Sequence, residues 1–427
     1  MNILIINGSP KGKESITLHT CLYLEKKFPE LKFSYLHAGA RIRTLEKDFS
    51  ASLEEIRRAD LLVFCYPVYT FLVPYQLHRF IELMKASGED FSGKAATQVS
   101  TSKHFYDITA HRFIKDNCAD MGLRYFDGLS ADMDDILSEK GRSQAKAWLE
   151  FVLWQMGAAD DAPAAEDSGR RAVIVADLEP EDVRLKAMVD RFVASFPYGV
   201  DVVNIREFPF QGGCISCFNC AATGKCAYKD GFDEFLRGTI HKHDAILYAF
   251  RIQDHSMGSR FKMYDDRQFC NGHRTVTMGT PFGYLVEGKY SSEENLRLLL
   301  EARAQVGGNF LAGVATDEGD WEAEVDKLAA TVRYAMDRRY CPPQNFLGVG
   351  GMKIFRDLIY KMRGLMRADH KFFKSHGQYD FPQKEWRTSW KMYLVGWLMR
   401  NKKLRAKAGG KFNEGMLGPY KKAIEND

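Results

Sequence analysis

The chain has 427 residues, 45% of them hydrophobic and 27% charged, which excludes a disordered, collagen-like or disulfide-scaffold protein and predicts two domains plus an extra piece. The net charge of +4 hides an asymmetry: residues 351–427 hold 18 Lys and Arg against 7 Asp and Glu, so that stretch carries +11 and the first 350 residues −7. No apolar run reaches the roughly 20 residues that span a bilayer, and Met1–Ile6 has no basic region before its apolar stretch, so a cytoplasmic location is expected.

Ile3–Ile6 reads as a strand, Asn7-Gly8-Ser9-Pro10 as a turn and Thr17–Lys27 as a helix. Further strands are predicted at Lys32–Leu36, Leu61–Tyr66, Ala96–Ser100 and Leu123–Phe126, with helices near 51–58, 74–86, 107–121 and 142–156. Such alternation predicts an α/β domain over 1–156 with a doubly wound parallel sheet. The small, acidic stretch 157–170 reads as a linker. A second α/β domain follows over 171–340, with strands expected at Ala172–Ala176, Val200–Val203, Ala245–Phe250, Arg274–Gly279 and Asn309–Val314.

At an offset of 184, Ile56 meets Ile240, Asp60 meets Asp244, and the strand ending at Tyr66 meets the one ending at Phe250, which reads as an internal duplication. Residues 341–427 form a basic, aromatic, helical C-terminal extension with helices expected around 352–367 and 386–404. Its apolar run Trp390–Met399 is only ten residues long and reads as a docking helix.

Two loops carry chemistry. Between the first strand and helix, in the loop that includes Pro10 and Lys11, the backbone N–H groups, the hydroxyls of Ser9, Ser15 and Thr17, and the positive end of the helix suit a phosphate monoester. Neither a Walker loop nor Gly-x-Gly-x-x-Gly is present there. The second loop holds Cys214, Cys217, Cys220 and Cys226, four thiols close enough in sequence to converge on one centre. Their spacing favours a [4Fe–4S] cluster over structural zinc, whose usual pattern is two distant Cys-x2-Cys pairs; ligandless thiols remain the third reading.

The first loop, Gly8-Ser9-Pro10-Lys11 followed by Ser15 and Thr17, together with Tyr66-Pro67-Val68-Tyr69-Thr70 leading into Gln76-Leu77-His78-Arg79-Phe80-Ile81, resembles the NADPH-dependent FMN reductase and iron-sulfur flavoprotein superfamily. The resemblance implies two flavodoxin-like domains in tandem. It implies FMN bound by Ser9, Pro10, Lys11, Ser15 and Thr17, with Pro67, Val68, Tyr69 and Thr70 against the ring and ribityl group. The fourth-strand loop, Ser100, Thr101 and Ser102, would complete that site, although the glycines usual there are missing. Cys226 within Thr223-Gly224-Lys225-Cys226 matches the superfamily's cysteine motif, which implies a cluster in the second domain. That domain has Asp177-Leu178-Glu179-Pro180-Glu181-Asp182 at the phosphate position and Arg251-Ile252-Gln253 in place of Pro-Val-Tyr, so its flavin site is read as lost.

The expected activity is a flavin-dependent oxidoreductase coupling FMN to an iron-sulfur cluster, with NAD(P)H or a reduced protein as electron donor. A non-enzymatic electron carrier and a flavin-based redox sensor are the rival readings. The sequence compels no catalytic acid or base; Tyr69 and His104 stand out by position alone. His241 and His243 read as a solvated helix end, and Gly348–Gly351 is discounted as a dinucleotide loop. Nucleic acid is not expected as a partner, and the fused pair is expected to imitate a dimer within one chain, with a homodimer also open.

Overall fold

The computed structural model describes residues 1–158, 169–398, 400 and 402–426, with the side chains of 401–413 outside that description. Most of the expected linker at 157–170 therefore lies outside the described residues. The chain divides into two compact units: one joins the residues before the acidic segment to those from Phe381 onward, and the other ends at Asp380.

In the first unit the order is β1 (Asn2–Asn7), α1 (Ile16–Lys27), β2 (Lys32–Leu36), α2 (Ala38–Leu45), α3 (Ser50–Arg58), β3 (Leu61–Pro67), α4 (Tyr75–Ala86), β4 (Ala95–Ser102), α5 (Asp107–Asp120), β5 (Arg124–Tyr125), β6 (Leu129–Asp132) and α6 (Glu139–Gln155). All strands pair in parallel in the order β2-β1-β3-β4, with β5 and β6 both on the outer edge of β4. This is the flavodoxin-like doubly wound order. Alternate residues explain the two helical faces. Ile3, Ile5, Val63 and Cys65 pack with α1 and α6 in one core, whereas Leu4, Ile6, Leu62 and Phe64 pack with α2 and α4 in the other.

The second unit runs β7 (Arg171–Ala176), α7 (Val183–Ser195), β8 (Gly199–Asn204), α8 (Asn219–Thr223), α9 (Phe232–Phe235), β9 (Ala245–Arg251), α10 (Gly258–Arg267), β10 (Pro281–Glu287), α11 (Glu294–Gly307), β11 (Phe310–Thr316), α12 (Trp321–Arg338), α13 (Phe346–Lys361) and α14 (Arg367–Ser375). Its all-parallel sheet, β8-β7-β9-β10-β11, has the same order as the first. One expectation fails here. Arg274–Gly279 is turn, and the fourth strand is the buried run at Pro281–Glu287. The chain then returns to the first unit as α15 (Trp386–Leu398) and α16 (Lys402–Glu425).

The duplication extends to individual bonds. Asp60 Oδ2 accepts the Asn2 N–H at 2.7 Å, and Asp244 Oδ2 accepts the Arg171 N–H at 2.9 Å. After the third strand of each half, Tyr69 and Leu72 exchange backbone bonds around Thr70 (φ 47°) and Phe71 (φ 71°). Gln253 and Ser256 do the same around Asp254 (φ 47°) and His255 (φ 62°). Two successive left-handed residues without glycine are uncommon, and here the same turn occurs twice at the offset of 184 read from the sequence.

Candidate functional sites

Asn7, buried at the end of β1, fastens the first loop: its Nδ2 donates to Gly12 O at 2.8 Å and its Oδ1 accepts from Ser9 N–H at 3.1 Å. Gly39 at the start of α2 lies beneath the loop, where an added Cβ would fall 2.4 Å from the carbonyl oxygens of Gly8 and Ser9. Only glycine fits there. The Thr17 hydroxyl meets that of Thr101 at 2.6 Å, tying α1 to the end of β4.

Ser15 occupies the N-cap of α1 but makes no capping bond, and its buried Oγ has no hydrogen-bond partner. A buried hydroxyl left without a partner costs free energy. The first turn of a helix presents free N–H groups and a partial positive charge. Together they form an anion seat, and the residues present fit a phosphate monoester.

The seat opens into a cleft of about 340 Å³ lined by Ser9, Lys11, Ser15, Thr17, Pro67, Val68, Tyr69, Thr70, Thr101 and Ser102 of the sequence-predicted residues. Pro10 and Ser100 are not among the lining residues. Ser100 Oγ bonds His111 Nε2 at 2.8 Å instead. His104 also lies away from the lining, buried with its Nδ1 2.9 Å from Asp107 Oδ2. Sequence reasoning missed Phe71, Phe105, Met133, Met416 and Leu417, which also line the cleft. The rings of Phe71 and Phe105 meet edge to face at 5.2 Å, so one wall is aromatic. Helix α16 supplies another: Leu417 is buried, Tyr420 Oη reaches Asp134 Oδ1 at 3.5 Å, and Lys26 Nζ donates to Ile424 O at 2.6 Å. Lys103 at the rim is held by Asp132 and Asp134, each at 2.6 Å.

The corresponding loop of the second half is self-neutralised. Arg206 contacts Asp177 at 2.6 Å and Glu179 at 2.8 Å, and Arg251 contacts Asp182 at 2.9 Å. Burial pushes the Asp177 carboxyl above its ordinary value, and the Arg206 guanidinium opposes that shift. The carboxylates of this loop are thus paired internally with two arginines.

The cysteine loop lies in the same unit. Ser216 (φ 52°) and Phe218 (φ 59°) are left-handed residues that curl the chain, and left-handed Gly224 ends α8. All four of Cys214, Cys217, Cys220 and Cys226 line one cavity of about 250 Å³, with Tyr228, Arg267, Cys270 and His273. Among the described residues, no three His, Cys, Asp or Glu side chains are gathered closely enough to hold a metal ion. Burial pushes the Cys270 thiol up to about 12.

Cations surround the thiols. Arg267, 2% exposed, pairs with Asp230 at 2.7 Å, donates to Gly212 O at 2.8 Å and approaches Cys226 Sγ at 3.7 Å. Arg274 donates to Cys220 O at 3.2 Å and to Asp369 Oδ1 at 3.0 Å. Asp369, fully buried on α14, also accepts from the His273 N–H at 3.2 Å. Ala221 packs with Ile359, Met366 and Phe373, so α13 and α14 wall the cysteine loop. The solvated helix end expected at His241 and His243 is corrected: His243 is buried, 2.7 Å from Asp201 Oδ2, and burial pushes the His241 imidazole down to about 4.

Residues 1–130 match the model of a family described as having a flavodoxin-like fold. Solved structures similar to this chain include an FMN-dependent NADH-azoreductase from Bacillus anthracis in complex with FMN, at 14% identity and TM-score 0.31 over 37% of this chain and 100% of that one. A second is an NAD(P)H:quinone oxidoreductase from Methanothermobacter marburgensis, at 12% identity and TM-score 0.31 over 38% and 98%. A third is the Trp repressor binding protein from Bacillus subtilis, at 21% identity and TM-score 0.27 over 34% and 97%. No curated protein matches the chain.

Proposed function

We propose that the first unit binds FMN in its cleft, that the chain is an NAD(P)H-dependent flavin oxidoreductase, and that the cysteine loop of the second unit holds a [4Fe–4S] cluster. The observation that carries the flavin reading is the unpartnered Ser15 hydroxyl at an uncapped helix start, opening into an aromatic cleft inside a flavodoxin-like domain. FMN exchanges electrons in pairs or singly and a cubane exchanges them singly, so the two together connect hydride donors to one-electron acceptors.

The chain's own residues account for binding. Ser15 and the first turn of α1 hold the phosphate, and Asn7 and Gly39 keep the loop in shape. Tyr69, Phe71 and Phe105 offer ring faces to a planar group, while Met416 and Leu417 exclude water from one side. At the cysteine loop, Arg267 lies 3.7 Å from Cys226 Sγ and would donate to it, while Arg267 and Arg274 are themselves paired with Asp230 and Asp369.

Anaerobic purification with FMN, iron and acid-labile sulfide measured on one sample, followed by NADH or NADPH, tests the reading. Bound FMN that is reduced by a nicotinamide, together with iron and sulfide in equal amounts, is the expected result. Stoichiometric zinc without sulfide removes the cluster, and a protein that takes up no FMN removes the flavin.

A further inference from the structure

Helix α15 buries none of its 13 residues. Yet Trp386, Trp390, Tyr393 and Trp397 on it are 64–77% exposed. At about 100° per residue these four positions fall within roughly 60° of arc, so the rings form one stripe along the helix. Arg387 and Lys391 flank the stripe, with the Arg387 guanidinium 5.3 Å from the Trp386 ring. A helix of this length is marginal in water without a packed face, so the stripe requires a cover.

Charge selects the cover. Residues 384–411 contain nine Lys or Arg against Glu385 alone. Trp and Tyr each join an apolar ring to a polar tip, the combination that settles where hydrocarbon meets lipid headgroups. An aromatic stripe beside a dense cationic run therefore complements a continuous anionic surface with an apolar layer beneath it. No described helix is long and apolar enough to cross a membrane, so the helix lies along the surface.

We propose that α15 docks this protein on an anionic lipid surface, with the aromatic stripe in the headgroup layer and Arg387 and Lys391 beside it. Helix α16 follows α15 in the same unit and brings Met416 and Leu417 to the cleft.

Sedimentation of the purified full-length protein with phosphatidylcholine vesicles, with and without phosphatidylglycerol, tests this. The protein should sediment with the phosphatidylglycerol vesicles, stay in solution with the neutral ones, and be released by high salt. Replacing Trp390 and Trp397 together by Ala should lower partitioning by roughly tenfold or more. Arg387→Glu with Lys391→Glu should lower it by roughly fivefold per cation lost. These side chains are exposed, and unchanged circular dichroism would show the fold retained. Absence of binding to phosphatidylglycerol vesicles at low salt overturns the proposal, as does unchanged binding by the double Trp variant. A dimer seen by light scattering that the Trp variant dissociates, with no vesicle binding, assigns the stripe to a second copy of the chain and also overturns it.

Discussion

The first loops of the two halves hold the same place in the topology and differ in length and chemistry: eight residues separate β1 from α1, and six separate β7 from α7. Both follow the first strand of a sheet ordered 2-1-3-4-5, and both face a third strand that ends in the same left-handed turn. In the first half the loop is closed by Asn7 and Gly39 and leaves Ser15 without a partner. The loop of the second half carries carboxylates paired with Arg206 and Arg251. The same topology thus carries a loop that leaves a buried serine hydroxyl unmet in one half and a loop whose carboxylates are paired with arginines in the other.

The largest expected effect separates the halves by cofactor. Replacing Cys217 by Ala should reduce iron and acid-labile sulfide to near zero while FMN content stays as in the unaltered protein. Loss of both together would show that the two sites are not independent.

Next is the ion-pair network. Arg206→Ala leaves the buried Asp177 carboxylate without its nearest cation, and should lower the second unit's stability by about 2 kcal/mol at pH 7. Protonation of Asp177 relieves that cost, so urea unfolding should show a smaller difference near pH 4. An equal deficit at both values would show that Arg206 acts through packing alone.

Each half also holds a histidine that burial drives from 6.5 down to about 4, His111 in the first and His241 in the second. A depressed histidine contributes stability that is full above pH 6.5 and is lost as pH falls from 6.5 through about 4, because the unfolded chain takes up the proton first. The free energy of unfolding measured across that window should fall by about 3 kcal/mol per histidine. His111→Gln should flatten the slope for the first half only.

The smallest effect tests the twin turns. Thr70 is β-branched and strained at φ 47°, whereas Asp254 has the same φ and a side chain that tolerates it. Thr70→Gly should therefore stabilise the apoprotein by about 1 kcal/mol, and Asp254→Gly by only a few tenths. Equal shifts in urea midpoint would show the two turns to be equally strained.

What the sequence made legible was local. Buried runs such as Ile3–Ile6 and Ala245–Phe250 announce themselves as central parallel strands, and a loop between strand and helix shows its hydroxyls directly. Arg274–Gly279 misled because its β-branched residues mimic a strand, while Arg274 is committed to Asp369, 95 residues away. Non-local partners account for the other gaps as well. The acidic loop looks repulsive until Arg206 and Arg251 are brought to it, and nothing in the residues around 416 signals that α16 would border the cleft. Ser15 was visible as a hydroxyl, but its lack of a partner became visible only in the fold.

Titration of flavin-free protein with FMN, followed by fluorescence quenching, counts the flavin sites and locates them. One FMN per chain is expected, abolished by Ser15→Asp and unaffected by Arg206→Ala. Two FMN per chain, or one that survives Ser15→Asp, would contradict a single site at Ser15.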